Sequence, residues 1–446
     1  MASSLSVVVL AAGKGTRMKT ARAKVLHSLA GRSMIGHVLA TAAALDPVRT
    51  IVVLANEMQA VEAEVARGPI AARIAIQEPA LGTGHALMAA RQDLPDSGEV
   101  LVVYGDTPLV TAATLRELLE ARRRADAAVA VLGMRPPDPS GYGRLAHDAD
   151  GLAAIVEERH ADETLKREGV CNAGIMALDA ARTGPLLDAL ELREAKNEYY
   201  LTDIVMHARA RSWPCVAVEG PWIEGIGINS QGQLADAEAL MQVRLRAAAM
   251  GNGVTFTAPE TAFLSVDTEL AEGVEIGPYV VLGPGVEVAE RAQILPFCHL
   301  EGVRIGPGAR IGPFARIRPQ STIGESAHIG NFVEIKNATV EPGAKANHLA
   351  YVGDARVGTK ANVGAGAITC NYDGFAKHRT EIGAGAFIGS NAVLIAPVAV
   401  GDGAYVAAGS TINRDVPPGS LSIGRGRQTD IPDGAARIHA KKKSAE

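Results

Sequence analysis

Aromatic side chains are scarce in this chain of 446 residues, at 4% of the sequence, whereas glycine occurs 48 times. Such a composition argues against a core packed with large aromatic rings, and it is typical of glycine-bearing repeats. One hydrophobic core rarely extends over so long a chain, so the length predicts two or three domains, and two is the working number.

Cysteine is scarce too, with four residues in the whole chain. Cys171, Cys215, Cys298 and Cys370 lie far apart and form no CxxC pair. This spacing disfavours a zinc knuckle or a disulfide framework. We therefore expect a reducing, cytoplasmic environment.

A strong net charge and a long apolar run are also missing. The formal net charge is −5 at pH 7, so no extended field attracts nucleic acid or an anionic membrane, and any phosphate must be bound by local clusters. The opening MASSLSVVVLAAG is too short to span a bilayer and indicates a buried first strand. We expect small-molecule substrates, with neither nucleic acid nor membrane as a partner.

Up to about Asn229, short β-branched runs such as SVVVL, TIVVLAN and EVLVVYGD alternate with alanine- and leucine-rich stretches. This pattern predicts βαβ units around a mostly parallel sheet, in which ligands bind at the carboxyl ends of the strands. The stretch from Gln233 to Met250 contains no glycine or proline and predicts a connecting helix. The expected domains are 1–232 and 254–446, joined by a helical linker at 233–253.

After Gly253, apolar residues recur every six positions. An α-helix would show a period of about 3.6 and a flat strand a period of about 2. The six-residue period instead predicts short strands that turn a corner after each repeat and stack branched side chains inside a prism-shaped coil. The columns are Ile276, Leu282, Val288, Ile294 and Leu300; Ile305, Ile311, Ile317, Ile323, Ile329 and Ile335; and Ile382, Ile388, Leu394, Val400, Val406 and Ile412. A polar insertion, TCNYDGFAKHRT at 369–380, interrupts them.

The first strand runs into LAAGKGTRM, Leu10 to Met18. Backbone N–H groups of such a turn can wrap a polyphosphate, and Lys14 and Arg17 can neutralise it. The motif lacks the GK[ST] ending of a Walker loop and is not GxGxxG, so a plain structural turn is the competing interpretation. Lys24 is either a ligand or a solvated lysine. Asp106, at the end of EVLVVYGD, either caps a helix or binds Mg²⁺, and the neighbouring phosphate loop favours the metal.

In the second half, the β-helix is either a scaffold or a second active site. A polar set is concentrated in its central coils and in the insertion: Arg318, Lys336, His348, Tyr351, Asn362, Asn371, Tyr372 and Lys377. A lone histidine on a coil surface is usually solvated or structural. Among a tyrosine and several cations, His348 becomes a candidate general base.

A series of motifs then carries a resemblance. They are LAAGKGTRM, KVL at 24–26, QEPALGTGHA around Gln77, YGD at 104–106, GYGR at 141–144, VE at 156–157, NAG at 172–174, EYYLTD at 198–203 and NS at 229–230. Their order and spacing resemble the bacterial bifunctional N-acetylglucosamine-1-phosphate uridylyltransferase/glucosamine-1-phosphate N-acetyltransferase family over essentially the whole chain. The resemblance implies a Rossmann-like nucleotidyltransferase followed by a left-handed parallel β-helix of hexapeptide repeats.

The resemblance also implies roles for residues in the first half. The positions that match UTP or UDP-sugar contacts are Leu10, Ala11, Ala12, Gly13, Lys24, Gln77, Gly82, Thr83, Tyr104, Gly105, Asp106, Gly143, Glu157, Asn172 and Asn229. Within this set, Asp106 and Asn229 match ligands of Mg²⁺. Arg17 and Lys24 would stabilise the charge that develops during uridylyl transfer.

For the second half, the resemblance implies an acetyl-CoA-dependent N-acetyltransferase in which His348 is the general base. Sugar-phosphate contacts would be Arg318, Lys336, Tyr351, Asn362 and Lys377, and acetyl-CoA contacts would be Ala365, Asn371, Tyr372, Ser390, Ala408 and Arg425. Such family members are homotrimers with the acetyl site between subunits. Their product supplies precursors of peptidoglycan and lipid A.

Three positions depart from the family pattern. Ala23 replaces a usual proline, Ala173 a usual hydroxyl residue and Ala376 a usual asparagine. A usual tryptophan is also missing after Gly434. None of these changes removes a predicted ligand.

The leading hypothesis is a bifunctional enzyme that makes UDP-N-acetylglucosamine from glucosamine 1-phosphate, acetyl-CoA and UTP, with acetylation first. One alternative is a monofunctional sugar-1-phosphate nucleotidyltransferase whose β-helix only assembles or regulates. Another is a nucleotide-sensing scaffold without catalysis.

Overall fold

The computed structural model describes residues 4–13, 15–193 and 197–443. The chain divides into two compact units between Arg244 and Leu245. This division lies inside the longest helix, Gln231–Gly251, which covers most of the predicted linker.

The first unit is an α/β structure. Its strands are β1 (Leu5–Leu10), β2 (Ser28–Leu29), β3 (Arg32–Ser33), β4 (Arg49–Ala55), β5 (Arg73–Gln77), β6 (Glu99–Tyr104), β7 (Val129–Met134), β8 (Arg144–Asp148), β9 (Gly151–Val156), β10 (Val170–Asp179), β11 (Leu192–Arg193), β12 (Glu198–Tyr199) and β13 (Cys215–Glu219). Its helices are α1 (Met34–Ala43), α2 (Gln59–Ala66), α3 (Gly82–Ala89), α4 (Ala112–Arg124), α5 (Glu163–Glu168), α6 (Ala180–Asp188) and α7 (Ile204–Ala210). The helix α8 (Gln231–Gly251) begins in this unit and contains the division. Short 3-10 turns at Thr16–Met18 and Lys24–Leu26 follow β1.

The main sheet has the order β13-β7-β10-β6-β1-β4-β5. All neighbours pair in parallel except β10, which is antiparallel to both β6 and β7. Every residue of β1 is buried, as expected for a central strand covered by helices on both faces. The predicted mostly parallel sheet is confirmed, whereas the reversal at β10 was not predicted, because strand direction leaves no mark on the hydrophobic pattern.

The second unit is a parallel β-helix with three faces. The first face holds Thr255–Phe256, Glu275–Ile276, Gln293–Ile294, Arg310–Ile311, His328–Asn331, Lys345–His348, Asn362–Val363, Phe387–Ile388, Tyr405–Val406 and Leu421–Ser422. The second holds Phe263–Leu264, Val281–Leu282, His299–Leu300, Arg316–Ile317, Glu334–Lys336, Tyr351–Gly353, Ile368–Cys370, Val393–Ile395 and Thr411–Ile412. The third holds Glu269–Leu270, Val286–Val288, Val303–Ile305, Ser321–Ile323, Thr339–Val340, Ala355–Val357, Thr380–Ile382 and Val398–Val400. A helix, α9 (Gly434–Lys443), follows the coils.

Stacked coils explain the six-residue period. In each coil a strand pairs with the strand one coil later, as Glu275 does with Gln293 and Arg310 with His328. The apolar residue of each repeat points inward, and all members of the predicted columns are at most 5% exposed. The predicted β-helix is therefore confirmed, and its core is a set of aliphatic columns rather than a packed aromatic interior.

Corners between faces use left-handed backbone. At the corner between the first and second faces, which we call the first edge, Tyr279, Phe297, Phe314, Phe332 and Leu349 have φ between 51° and 61°. The four rings stack in sequence with centroids 4.7–5.1 Å apart. Stacking offsets part of the cost of placing bulky residues at positive φ. The corner between the second and third faces, which we call the second edge, contains Asn337 and Asp354 at φ 45° and 47°.

Within the described ranges, no helix combines the length and the hydrophobicity needed to cross a bilayer.

Truncating one core column tests the stacked-coil architecture. Ile335 is fully buried, so Ile335→Ala should lower the free energy of unfolding of the second unit by about 2–5 kcal/mol, because it removes buried methyl groups and leaves a cavity. Chemical denaturation followed by circular dichroism measures the loss. Thr322→Ala, on the exposed side of a strand of the third face, is the matched control, and equal stability of the two variants would contradict the assigned core.

Candidate active sites

A cavity of about 500 Å³ opens at the carboxyl ends of β1, β5 and β6 in the first unit. It is lined by Leu10, Ala11, Ala12, Gly13, Lys24, Val25, Gln77, Ala80, Gly82, Thr83, Ala86, Tyr104, Asp106 and Glu198. Most of the nucleotide contacts predicted from the sequence thus meet in one place. Val25, Ala80, Ala86 and Glu198 were not predicted as site residues.

Strand pairing brings the phosphate loop and the acidic strand end together. Leu10 and Tyr104 are register partners in β1 and β6, and the Gly105 N–H donates to the Leu10 carbonyl at 2.9 Å. A Cβ at Gly105 would lie 3.1 Å from the Ala11 Cβ. Glycine at this position therefore lets the two strand ends approach closely.

Lys24 lies between the two predicted metal ligands. Its Nζ forms an ion pair with the Asp106 carboxylate and donates to the Asn229 Oδ1 at 3.0 Å. The ammonium group shows that these two oxygens converge on a cation. A carboxylate and an amide oxygen are also donors that Mg²⁺ accepts, with substrate phosphates as further ligands. The side chains present therefore fit a divalent ion.

No set of three or more His, Cys, Asp and Glu side chains in the described part of the chain is arranged to bind a metal by itself. The predicted role of Lys24 as a UTP ligand differs from the contacts it makes here, since its ammonium group faces Asp106 and Asn229. The Lys24 side chain is flexible, so a small movement of its ammonium group would exchange these contacts for the predicted contact with UTP.

Three side chains shape the side of the cavity next to α3. Gln77 is buried and its Nε2 donates to the Gly82 carbonyl at 2.9 Å, so its amide has one orientation. The Thr83 Oγ1 accepts from the Leu201 N–H at 3.2 Å. Burial, reinforced by the Asp106 carboxylate, raises the pKa of Tyr104 far above its ordinary value, so the phenol stays protonated.

Gly143, Glu157 and Asn172 form a group beside the cavity rather than in its lining. The Asn172 N–H donates to the Gly143 carbonyl at 2.8 Å, and the Asn172 Oδ1 accepts from the Gly174 N–H at 2.9 Å. A Cβ at Gly174 would lie 2.9 Å from the Tyr104 ring. This close approach connects the group to the cavity wall.

Other predicted residues of the first unit are peripheral. Arg17 lies exposed on the turn Thr16–Met18 and does not line the cavity. Lys14 lies outside the described residues. Ala173 is buried, and a Cβ on Gly225 would lie 2.7 Å from its Cβ. The methyl group therefore packs against Gly225.

In the second unit, five predicted residues form a row along the first edge. His348 and Ala365 hold equivalent positions one coil apart. His348 lies three residues after Lys345, Ala365 lies three residues after Asn362, and Lys345 and Asn362 are register partners. The row is His348, Ala365, Ser390, Ala408 and Arg425. Hydrogen bonds connect the coils of its later members. The N–H of Asn391, next to Ser390, donates to the Ala365 carbonyl at 2.7 Å, the N–H of Gly409, next to Ala408, donates to the Ser390 carbonyl at 2.8 Å, and Arg425 Nη1 donates to the Ala408 carbonyl at 2.6 Å. Beyond Leu349 the corner residues become small, with Gly366, Asn391 and Gly409 in place of the aromatic rings.

His348 is held by a residue that sequence analysis missed. Its Nδ1 lies 2.6 Å from the Oδ1 of Asn331, its register partner in the preceding coil. An amide oxygen only accepts, so Nδ1 is the donor of this pair, and in the neutral ring the lone pair lies on Nε2. The 17-residue spacing from Asn331 to His348 is the one sequence signal that points to this pair.

A second cluster occupies the second edge. The Tyr351 phenol folds over Gly353, where a Cβ would lie 2.6 Å from the Tyr351 Cζ, and its Oη lies 3.4 Å from the Asn371 Nδ2. Lys336 lies near Lys377 and lowers the pKa of that ammonium group, because two like charges are close together. Asp354, which was not predicted, accepts from the Asn371 amide.

Arg318 lies one coil before Lys336, as shown by the Arg318 N–H donating to the Ile335 carbonyl at 2.9 Å. Its Nη1 donates to the Glu334 carboxylate at 3.0 Å. The insertion is a tight hairpin in which Tyr372 faces Lys377 and donates from its Oη to the Gly374 carbonyl at 2.7 Å. Ala376 N–H donates to the Asp373 carboxylate at 2.7 Å, so the departure from asparagine leaves this turn intact.

The structure does not bring all acetyl-site residues together within one chain. The row that starts at His348 follows the first edge, whereas Lys336, Asn371 and Lys377 lie at the second edge, and the width of the second face separates them. Asn362 lies on the first face, next to Lys345.

Comparison with known proteins decides the family. Residues 7–170 match the MobA-like NTP transferase domain, and residues 302–337 and 379–414 match the six-repeat bacterial transferase hexapeptide. Relatives named bifunctional protein GlmU are 54% identical in Paramagnetospirillum magneticum, with 99% of this chain and 98% of the relative covered, and 53% identical in Azorhizobium caulinodans, with 98% of each covered. A third, from Xanthobacter autotrophicus, is 52% identical over 97% of each chain.

The chain belongs to the GlmU family. It is a bifunctional transferase with one nucleotidyltransferase and one hexapeptide acyltransferase domain. The predicted fold class and the predicted bifunctional synthesis of UDP-N-acetylglucosamine are confirmed, while the monofunctional and non-catalytic alternatives are not supported.

The close contact at Gly353 gives a test of the second-edge cluster in this GlmU protein. Gly353→Ala should push the Tyr351 phenol aside, since a flexible ring yields more easily than backbone. Losing one hydrogen bond to a charged group costs roughly 1.5 kcal/mol, so the KM of acetyl transfer for glucosamine 1-phosphate should rise about tenfold. Steady-state kinetics measures it, with uridylyl transfer by the same variant as the internal control. An unchanged KM would show that the phenol is not a sugar-phosphate contact.

Proposed function

We propose that the two consecutive reactions are divided between the two halves of the chain. Residues 254–446 transfer an acetyl group from acetyl-CoA to the amine of glucosamine 1-phosphate. Residues 1–232 then transfer a uridylyl group from UTP to the N-acetylglucosamine 1-phosphate formed. The observation that carries the proposal is the meeting of Lys24, Asp106 and Asn229 in one unit and the Asn331–His348 pair in the other.

For uridylyl transfer, the sugar phosphate oxygen attacks the α-phosphorus of UTP, and the bond to the bridging oxygen of pyrophosphate breaks. Nothing covalent is required of the protein, which positions both substrates and offsets charge. The loop at 10–13 lies against Gly105 and can present backbone N–H groups to the phosphates. Gln77, whose Nε2 donates to Gly82, keeps its Oε1 for the uracil N–H.

Asp106 and Asn229 would hold Mg²⁺, which when bound neutralises phosphate charge. Lys24 forms their cationic partner in its absence and would turn toward the phosphates when that position is filled. Gly143, Glu157 and Asn172 lie where the sugar would extend from the cavity wall. Arg17 and Lys24 would take up charge on the leaving pyrophosphate.

For acetyl transfer, the amine nitrogen attacks the thioester carbonyl carbon, an N–C bond forms and the C–S bond breaks. Coenzyme A leaves as the thiol after its thiolate takes up the proton that the amine gives to His348. His348 Nε2 accepts the amine proton, since Nδ1 is committed to Asn331. The Ala365 N–H, which makes no hydrogen bond among the described residues, would stabilise the thioester oxyanion. Burial raises the pKa of Cys298 to about 11, which disfavours a covalent route through this thiol.

The row along the first edge suits an extended thioester. Adjacent strands are about 4.8 Å apart, so the four coil steps from His348 to Arg425 span roughly 19 Å. The small corner residues Gly366, Asn391 and Gly409 leave this length of the edge uncovered by side-chain rings. Arg425 at the far end would meet the phosphate end of acetyl-CoA.

Reciprocal substitutions test the division of labour. His348→Ala should reduce the kcat of acetyl transfer by about 10²–10⁴-fold, because it removes the general base, and leave uridylyl transfer unchanged. Asp106→Ala should abolish Mg²⁺-dependent pyrophosphate release and leave acetyl transfer unchanged.

The measurement is a two-stage assay. Purified protein receives glucosamine 1-phosphate with acetyl-CoA, then UTP, and each product is followed separately. Loss of both activities in either variant would contradict independent sites, and survival of acetyl transfer in His348→Ala would exclude the assigned base.

We also infer that the acetyl site is completed in a homotrimer. The two groups of site residues lie on different edges of one coil, so a neighbouring copy can bring its second edge to the first edge of the other. Along the first edge, Tyr279, Phe297, Phe314 and Phe332 are each 44–57% exposed. A continuous apolar ladder of this kind favours burial against another surface.

A charge placed in the ladder tests assembly. Phe314→Glu should dissociate the trimer and abolish acetyl transfer while uridylyl transfer continues, because a carboxylate cannot be buried unpaired between copies. Light scattering after size-exclusion chromatography measures the mass, and circular dichroism confirms folding. Phe263→Glu, on an equally exposed aromatic outside the ladder, is the matched control. A Phe314→Glu protein of unchanged mass would exclude this edge as the interface.

A further inference from the structure

The second edge contains a carboxylate that no site assignment uses. Asp354 is half-buried at a corner with φ 47° and lies between Asn337 one coil earlier and Asn371 one coil later. The Asn337 Nδ2 donates to its Oδ1 at 2.5 Å, and the Asn371 Nδ2 donates to its Oδ2. Both carboxylate oxygens are therefore occupied by amide donors from neighbouring coils.

The same carboxylate faces two ammonium groups. Lys336 and Lys377 lie near each other, and the negative charge of Asp354 acts on both. Two ammonium groups that lie close together repel each other unless an anion balances their charge. A backbone hydrogen bond also joins Asp354 to Lys336, because the Asp354 N–H donates to the Lys336 carbonyl at 3.0 Å.

Asn371 gains a fixed orientation from this contact. A carboxylate accepts only, so the side-chain NH₂ group of Asn371 must face Asp354. The Oδ1 is then turned away from Asp354, and it is available to accept from an N–H group of a bound substrate.

We propose that Asp354 is a positioning residue of the acetyl-transfer site, which keeps the Lys336 and Lys377 ammonium groups together for one phosphate and turns the Asn371 Oδ1 toward the substrate. This inference rests on the proposed acetyl transfer. Asp354 itself does not contact the reacting atoms. It acts through the three side chains around it.

Asp354→Asn tests the proposal, because it keeps the volume and removes the charge. The KM for glucosamine 1-phosphate should rise about tenfold, since the two lysines lose the anion that holds them together before the phosphate arrives. Uridylyl transfer should not change. Asp402→Asn is the matched control, because the Asp402 carboxylate also bonds a neighbouring coil, at the Ala384 N–H, on a different corner.

The pH profile separates positioning from mere stability. Lys377 is influenced by Lys336, which lowers its pKa, and by Asp354 and Tyr351, which raise it. Removing the Asp354 charge lowers the pKa further, so Lys377 loses its proton at a lower pH. The alkaline limb of kcat/KM for glucosamine 1-phosphate should therefore move to lower pH in Asp354→Asn and stay in place in Asp402→Asn.

A second variant guards against a folding defect. Asn337→Ala frees one carboxylate oxygen of Asp354 but leaves its charge, so the KM should rise a few-fold without a shift of the alkaline limb. If both variants keep the wild-type KM and pH limb while the wild type acetylates, the positioning role is excluded. If the wild type itself transfers no acetyl group, the proposed function fails first, and the two failures are distinguishable.

Discussion

The equivalence of positions in successive coils is the constraint on which the second unit depends. Most strands pair in parallel with the strand 17 or 18 residues later, and across the insertion the spacing grows to 25 residues, as between Asn362 and Phe387. The same column holds aliphatic side chains inside and polar side chains outside. Any corner position is thereby repeated at a spacing of about 4.8 Å. Aromatic rings, the proposed general base and small residues thus occupy successive sections of one straight edge.

The same constraint explains how functional groups are fixed without a conventional pocket. His348 is oriented by Asn331, and Asp354 is bonded by Asn337, in each case from one coil before. Residues that are far apart in the sequence but occupy equivalent positions in successive coils therefore contact each other directly. Coils that are rigid through their aliphatic core can therefore present polar groups on an exposed surface.

The first unit reaches its site by a different route. Parallel β1 and β6 end side by side, so the phosphate loop and Asp106 meet at the Gly105–Leu10 hydrogen bond. The Lys24 ammonium then balances the Asp106 carboxylate and the Asn229 oxygen. The carboxyl end of the sheet thereby brings together residues that are more than 200 positions apart in the chain, as are Lys24 and Asn229.

The sequence by itself determined the two-part architecture, because a six-residue period and β-branched runs each have one structural solution. It also predicted the residue types at both sites, since motif spacing carries the family resemblance. The antiparallel direction of β10 could not be predicted from the sequence, because the hydrophobic pattern of a strand does not depend on its direction.

Only the tertiary structure decided which side chains meet. Asn331 and Asp354 are ordinary polar residues in the sequence, and their roles arise from register between coils. The separation of His348 from Lys336 and Lys377 is likewise invisible to motif spacing, because it depends on which corner each residue occupies. Proximity between distant residues is a property of packing, and local patterns record only what each segment buries.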